Sequence, residues 1–163
     1  MATQMHQLEP EVTVRDAFWM KYFQLIKKEM IPFQWAVLND KAAITIESER
    51  DDATIPTEKS HVIENFKVAA GLKEGNHYGW LFQDSDLYKW IEAAANIVAI
   101  EKDEELIGLI ETTIDLLEQA QEEDGYLSTF YQIDAPHLKF RRLFESHELY
   151  CAGHLIEAAI AYF

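Results

Sequence analysis

The sequence predicts an all-α fold built from antiparallel helix hairpins, and three observations support this class. Apolar side chains recur at three- and four-residue spacing through most of the chain, as they do on amphipathic helices. Strand signals are few and short. Capping residues and turn residues separate the apolar segments, so we expect pairs of helices joined by loops.

Composition limits the partners and the compartment. The chain has 163 residues, 48% of them hydrophobic, which is enough for one domain with its own core. Its 14 basic and 29 acidic side chains give a net charge of −15, which disfavours nucleic acid and anionic membranes as partners. Residues 1–14 lack a secretory signal, and no run approaches the ~18 apolar residues of a membrane span. We therefore expect a cytoplasmic protein.

The first helix is expected to begin at Asp16, whose carboxylate can cap it, and to end at Pro32. Its apolar residues follow helical spacing and predict a buried face. That face comprises Trp19, Tyr22, Phe23, Ile26 and Met30.

Residues 41–60 interrupt the helical pattern with dense charge, a short alternation of isoleucine and threonine, and Pro56. This composition predicts a solvated loop or insertion within one domain, with room for a short strand. The next helix should start near Ser60 and end at Gly71, because serine favours helix N-caps and glycine favours helix C-caps.

Two further helices are predicted in the middle of the chain. Either Asp84 or Asp86 can cap the first of them, which carries an apolar stripe from Leu87 to Val98. The second spans about 104–122 and repeats the same apolar spacing.

The last third of the chain begins with a predicted turn at Asp124 and Gly125. A loop rich in aromatic residues follows, and a terminal helix is expected from about Ser146. Short connections of this kind place successive helices beside each other as antiparallel pairs.

The terminal helix carries His147, Cys151 and His154 at i, i+4 and i+7, which predicts a polar, hydrated face. Imidazole and thiolate are both zinc ligands, but three ligands spread over two turns of one helix rarely converge on one ion. A lone cysteine among alanines is more often a small buried apolar residue than a nucleophile. We therefore expect no metal ligands and no stoichiometric zinc in this chain.

Five segments, in order, resemble glycoside hydrolase family 127, the bacterial β-L-arabinofuranosidases. The most specific is HELYCAGHLIEAAIAYF at 147–163. The other four are IPFQWAVLND at 31–40, SHVIENFKVAAG at 60–71, YGWLFQDSDLYKWIEAAA at 78–95 and QEEDGYLSTFY at 121–131. Residues 41–60 depart from the family pattern by being longer and more charged.

The resemblance implies that residues 1–163 form the N-terminal portion of an (α/α)6 barrel. It also implies hydrolysis of terminal β-L-arabinofuranosides with retention, by a zinc-held cysteine thiolate as nucleophile and a glutamate as acid/base. The family places its nucleophile and zinc-ligand cysteines further downstream, and Cys151 corresponds to none of them. This chain is thus expected to hold no catalytic residue, no metal ligand and no cofactor, and to be inactive alone; zinc is implied only for the full-length enzyme.

The resemblance also suggests substrate-binding residues. His147 and Gln34 match family residues that face the sugar, and both side chains can donate to and accept from hydroxyl groups. A bracing role in a loop explains Gln34 equally well. Asp84 or Asp86 could bind a hydroxyl, but helix capping accounts for at least one of them. Most of the aromatic residues near these positions are expected in the core.

Other classes of function stay open. The terminal helix leaves an apolar stripe without a cover in this chain, so the chain could be one part of a longer hydrolase. It could instead be a standalone helical module that binds or self-associates through its exposed faces, or an inactive remnant. A different (α/α)6 carbohydrate enzyme, such as an unsaturated uronyl hydrolase, should not carry the HELYCAGH segment.

Overall fold

The computed structural model describes residues 13–42 and 59–163, and these residues are helical without any strand. The all-α class is therefore confirmed. The predicted loop at 41–60 lies outside the described residues except at its ends. The helices are α1 (Ala17–Leu25), a π-helical turn (Ile26–Met30), α2 (Ile31–Leu38), α3 (Val62–Ala69), α4 (Asp84–Ile100), α5 (Glu104–Ala120), α6 (Thr129–Ile133), a 3-10 turn (Pro136–Leu138) and α7 (Glu148–Tyr162).

The first helix starts as predicted, because the Asp16 carboxylate accepts a hydrogen bond from the Trp19 N–H at 3.0 Å. The prediction that it ends at Pro32 is wrong, since the chain continues through the π-helical turn into α2. A proline ring inside an α-helix collides with the carbonyl four residues earlier, here that of Lys28. The π-helical turn directly before Pro32 widens the helix there, and the Ile31 N–H donates to the Ile26 carbonyl.

The predicted buried face of this first helix is largely wrong. Trp19 is 59% exposed, and Tyr22 and Met30 are also exposed. Only Phe23 and Ile26 pack against the core. No described element covers the outer side of α1, so its aromatic residues contact one another at the surface instead.

The hydrophobic core lies between α3, α4, α5 and α7, with α4 in contact with all three of the others. Helix α3 begins near Ser60 as predicted, but His61 and not Ser60 occupies the N-cap position, and no side chain caps the helix from there. The helix terminates before Gly71, whose φ of +69° allows the left-handed turn that glycine adopts without strain. The side chains with almost no exposure are those of Val62, Phe66, Leu87, Tyr88 and Ile110.

Helices α4 and α5 form the predicted antiparallel hairpin, joined by residues 101–103. Asp103 caps α5 by accepting from the Leu106 N–H at 3.2 Å. Lys27 bridges to both Glu101 and Asp103, and so ties the first helix to this connection. The predicted turn after α5 is also confirmed, because Gly125 has a φ of +88°.

Helices α4 and α7 run parallel to each other and share the largest helix contact among the described residues. The contacts advance in the same direction along both helices, from Phe82 and His147 to Lys89 and Tyr150.

The predicted hydrated face of α7 is wrong, because Cys151 is 1% exposed and faces α4. The exposed side of α7 is apolar instead and carries Leu149, Ile156, Ile160 and Phe163.

Helix α6 was not predicted, since its sequence reads as an aromatic-rich loop. Its first N–H, that of Thr129, donates to the carboxylate of Asp84 on α4. The expectation that Asp84 or Asp86 caps α4 is therefore wrong: Gln83 occupies the N-cap position, and no side chain caps α4 from there.

Across residues 13–42 and 59–163, no helix has both the length and the apolar character needed to cross a membrane.

Candidate functional site

A cleft of about 510 Å³ opens between α2 and the N-terminal half of α4. The wall formed by α2 is mainly apolar but carries Gln34, and the opposite wall mixes aromatic rings with charged and amide groups. This combination is typical of sites for small polar molecules that also have apolar faces. The lining residues include Phe33, Gln34, Trp80, Phe82, Gln83, Asp86, Lys89 and Trp90.

Gln34 reaches the cleft because the first helix does not end at Pro32. The residue lies on α2, with its side chain exposed at the cleft wall. Phe33 beside it is 57% exposed and lines the same cleft. The alternative of a loop-bracing glutamine does not apply, since this segment is helical.

The buried side chain of Gln83 holds the opposite wall in place. Its amide oxygen accepts from the Trp80 N–H at 2.9 Å, and its amide nitrogen donates to the Ser60 carbonyl. Gly79 is required here: its φ is +96°, and an added Cβ would lie 2.0 Å from the Gln83 Oε1 atom. The Trp80 and Phe82 rings stack at a centroid separation of 5.4 Å on this fixed segment.

Trp90 contributes to the floor of the cleft but belongs mainly to the core. It is 2% exposed, stacks on Trp35 at 4.5 Å, and donates from its indole nitrogen to the Ile31 carbonyl at 3.1 Å. These contacts join α2 to α4 and thereby set the width of the cleft. The expectation that most aromatic residues serve packing fits this pair.

Asp84 lies away from the cleft, inside the protein. It is 2% exposed, and its two oxygens accept from the Thr129 N–H at 2.7 Å and the Thr129 hydroxyl at 2.5 Å. Burial raises the pKa of this carboxyl to about 6, although the bonds from Thr129 act in the opposite direction. The structure thus gives Asp84 a role in joining α4 to α6, while Asp86, two residues further along α4, is the aspartate at the cleft.

His147 lies just before α7, with its side chain exposed. Its φ is +54°, a conformation that a non-glycine residue adopts only when its surroundings hold it. Its ring lies 5.1 Å from that of Phe82, which lines the cleft, and its Nδ1 atom lies 2.9 Å from the Glu145 carbonyl oxygen. The histidine therefore lies at the edge of the cleft, beyond its lining residues.

The neighbouring Glu148 anchors this backbone. The carboxylate is buried and accepts from the Tyr126 hydroxyl at 2.5 Å and the Phe140 N–H at 3.0 Å. Desolvation and the adjacent Glu148 raise the pKa of the Tyr126 hydroxyl, so the tyrosine remains the donor. Two other segments, at Tyr126 and Phe140, thus bind the residue that follows His147.

Lys89 connects the cleft to the region around His147. Its ammonium group donates to the Tyr150 hydroxyl at 2.7 Å, and the Tyr150 ring lies 5.8 Å from the His147 ring. Sequence reasoning missed Lys89 as a site residue, together with Gln83. Both residues belong to a second series that starts at the N-cap of α4 and continues along the helix at three- and four-residue spacing. This spacing could have identified them from the sequence. The series comprises Gln83, Asp86, Lys89, Trp90 and Ala93.

Cys151 does not have the environment of a nucleophile or a metal ligand. The thiol is buried against α4 and donates to the Phe82 carbonyl at 3.5 Å. Desolvation, reinforced by the nearby Asp84, raises the pKa of the thiol to about 12. It is the chain's one cysteine, so the residues present do not fit the cysteine-rich zinc site that the family resemblance implies.

The family model described as β-L-arabinofuranosidase, GH127 catalytic domain, matches residues 11–163. The chain belongs to the GH127 family. A non-reducing end β-L-arabinofuranosidase from Bifidobacterium longum subsp. longum is 43% identical over 155 residues, which are 93% of this chain and 24% of that protein. This GH127 chain therefore spans about a quarter of the length of that relative.

Two solved structures show the same relationship. A GH127 β-L-arabinofuranosidase from Geobacillus stearothermophilus has a TM-score of 0.83 and 46% identity, covering 94% of this GH127 chain and 22% of that one. A second GH127 β-arabinofuranosidase has a TM-score of 0.72 and 28% identity, covering 92% and 22%. The helical arrangement described above is thus that of GH127 enzymes over the matched region.

Cys151 should resist alkylation in the folded GH127 chain. With a thiol pKa of about 12 and 1% exposure, very little thiolate is available at pH 8. We expect iodoacetamide to modify it slowly in buffer and rapidly in guanidinium chloride, as measured by intact-protein mass spectrometry. Equal rates in the two conditions would contradict the buried placement of this thiol.

The Asp84 carboxyl should make the stability of the chain depend on pH. Its folded-state pKa of about 6 exceeds the ordinary aspartate pKa of 3.8, so its stabilising effect is complete below pH 3.8 and is lost as the pH rises through about 6. This shift corresponds to about 3 kcal/mol in the free energy of unfolding. Asp84→Asn removes the titration, so the wild type should lose stability relative to this variant over that interval, as measured by urea unfolding.

The matched control is Asp115→Asn, which changes an exposed aspartate on α5. Its stability difference from the wild type should stay constant across the same pH values. Burial lowers the pKa of His77 to about 4, so this residue makes the chain more stable as the pH rises. The wild type and both variants contain His77, so its contribution cancels in the stability differences. A constant difference between the wild type and Asp84→Asn would refute the assignment.

Proposed function

We propose that this chain forms the N-terminal portion of the catalytic domain of a retaining glycoside hydrolase that cleaves terminal β-L-arabinofuranosides. The observation that carries the proposal is the cleft, in which Gln34, Asp86 and Lys89 lie together with aromatic rings. The cleft would supply one wall of the sugar pocket. Family membership and the names of the matched relatives support this assignment.

The chemistry of the cleft suits a furanoside. The Gln34 amide can donate to one hydroxyl and accept from another, and the Asp86 carboxylate and the Lys89 ammonium extend this polar surface. The rings of Phe33 and Trp80 offer apolar faces for the carbon-bound hydrogens of a sugar. A ligand with alternating polar and apolar edges is therefore the best match.

His147 and Gln34 are proposed as direct sugar contacts. Both side chains are exposed, and the anchoring of Glu148 keeps His147 at the cleft edge without a side-chain rearrangement. Pre-organised contacts of this kind bind better because less conformational freedom is lost. Asp84 enters the proposal as a positioning residue, because Thr129 already occupies both of its oxygens.

The chemical step is proposed to depend on residues outside this chain. Catalysis with retention needs a nucleophile and an acid/base group on either side of the scissile bond. Cys151 is buried and has a raised pKa, and it is the chain's one cysteine. In the full-length enzyme, zinc would serve to stabilise a thiolate. This chain would bind and orient the sugar.

The helices of this chain are proposed to form part of an (α/α)6 barrel. The parallel neighbours α4 and α7, with α5 returning antiparallel to α4, are the arrangement expected of adjacent hairpins in such a barrel. The exposed apolar residues of α7, including Ile156 and Ile160, would then be covered by further helices. The same exposed residues favour the alternative that the chain acts as a standalone, self-associating module or an inactive remnant.

The isolated chain is expected to show no glycosidase activity. It lacks the pair of reacting groups proposed above, so binding a sugar would not lead to cleavage. The measurement is turnover of an aryl β-L-arabinofuranoside by tag-free purified chain. Turnover that disappears in His147→Ala would contradict this expectation, since that loss would exclude a contaminating enzyme.

In a full-length enzyme that contains this segment, His147→Ala should mainly raise KM. Loss of one hydrogen bond to a sugar hydroxyl costs about 0.5–1.5 kcal/mol, which is at most about tenfold in affinity. The matched control is His137→Ala, an exposed histidine that does not line the cleft. A KM and kcat unchanged from the wild type would exclude the contact.

A further inference from the structure

Three potential metal ligands meet where α4 packs on α7, apart from the residues that line the cleft. Glu92 on α4 and His154 and Glu157 on α7 each place one ligand atom within 4.8 Å of the other two. The Nδ1 atom of His154 lies 3.0 Å from an oxygen of Glu157. Sequence spacing on α7 alone could not suggest this set, because Glu92 comes from another helix.

The packing of the two helices fixes this arrangement. Ala158 and Cys151 on α7 are each 1% exposed, and small side chains allow two helices to approach closely. His154 and Glu157 are three residues apart, so they project from the same side of α7. The Tyr150 ring meets the His154 ring edge to face at a centroid separation of 4.6 Å and restricts its rotation.

The interactions in the structure leave these three side chains without a full set of hydrogen bonds and ion pairs. The His154 Nδ1 atom is inaccessible to solvent and makes no hydrogen bond within the described chain, because its short approach to Glu157 lacks hydrogen-bond alignment. Neither glutamate forms an ion pair with a lysine or arginine of residues 13–42 and 59–163. Two carboxylates and an unpaired imidazole nitrogen therefore lie together without a cation.

We propose that Glu92, His154 and Glu157 form a binding site for one divalent transition-metal ion such as zinc. Two atoms 3.0 Å apart can both lie at the usual ligand distance of about 2.0–2.2 Å from one ion. The Glu92 oxygen lies within 4.8 Å of both atoms and would be the third ligand. One imidazole with two carboxylates is a common ligand set for such ions, and facing helices build it from residues at i and i+3.

The proposal departs from the expectation that the chain binds no stoichiometric zinc. That expectation considered ligands from α7 alone, whereas the structure replaces His147 and Cys151 with Glu92 and Glu157. The site is independent of the proposed glycosidase function. A bound ion would tether the middle of α4 to α7 and so stabilise the helix pair that carries the cleft.

The first test is calorimetric titration of zinc chloride into the metal-free, tag-free 163-residue chain. We expect one saturable site per chain. Glu92→Gln and His154→Gln should each weaken binding by about tenfold or more, because even outer partners of a metal ligand contribute about 10- to 100-fold. The controls Glu105→Gln and Cys151→Ala should bind as the wild type, since they remove an exposed carboxylate elsewhere and the thiol.

A second readout assigns the ligand atom. Zinc should shift the ¹⁵N resonance of His154 Nδ1 in the wild type and leave the His147 resonances in place. Circular dichroism verifies that each variant is folded, and Glu157→Gln replaces His154→Gln if the latter unfolds. Absence of saturable binding, equal binding by the ligand variants, or loss of binding in Cys151→Ala would each overturn the proposal.

Discussion

Close packing of α4 against α7 determines where the functional groups of this chain lie. Small buried residues on α7, Cys151 and Ala158, let the two helices approach each other in parallel. Helix α4 then buries one stripe in the core and presents a second stripe, including Asp86 and Lys89, to the cleft. Because α7 begins beside Phe82, the same packing brings His147 to the cleft edge.

Buried carboxylates hold this helix pair in register with its connections. Asp84 binds the first turn of α6, and Glu148 binds both Tyr126 and the backbone of Phe140. The bonds between Asp84 and Thr129 and between Tyr126 and Glu148 are buried and join segments 45 and 22 residues apart, and the loss of a buried hydrogen-bond partner is costly. Polar groups inside the protein thus fix the geometry of the cleft, where the exposed Gln34 and Asp86 side chains face the opening.

The sequence predicted the helical class and most helix boundaries, because these depend on local spacing and capping. It failed where a distant partner decided the outcome. Pro32 does not end its helix, since a π-helical turn makes room for its ring. Asp84 binds α6 rather than capping α4, and Cys151 faces the core rather than water. None of these contacts is visible in spacing along one helix.

In the candidate site, too, local sequence patterns predicted some residues, while contacts between distant segments determined the rest. Gln34 was recognised by resemblance, but its position in the cleft follows from α2 continuing past Pro32. Lys89 could have been found from the second stripe of α4, whereas its link to Tyr150 required the packing of α7. The sequence analysis weighed metal ligands on α7 alone, whereas the proposed metal site also takes Glu92 from α4.

The most direct test of the account is a crystal structure of a full-length enzyme containing this segment, soaked with L-arabinose. The account predicts a sugar within hydrogen-bond distance of Gln34 and His147, with Asp84 still bound to Thr129 and out of contact. A sugar bound elsewhere, or a cleft filled by side chains from the rest of the protein, would contradict it.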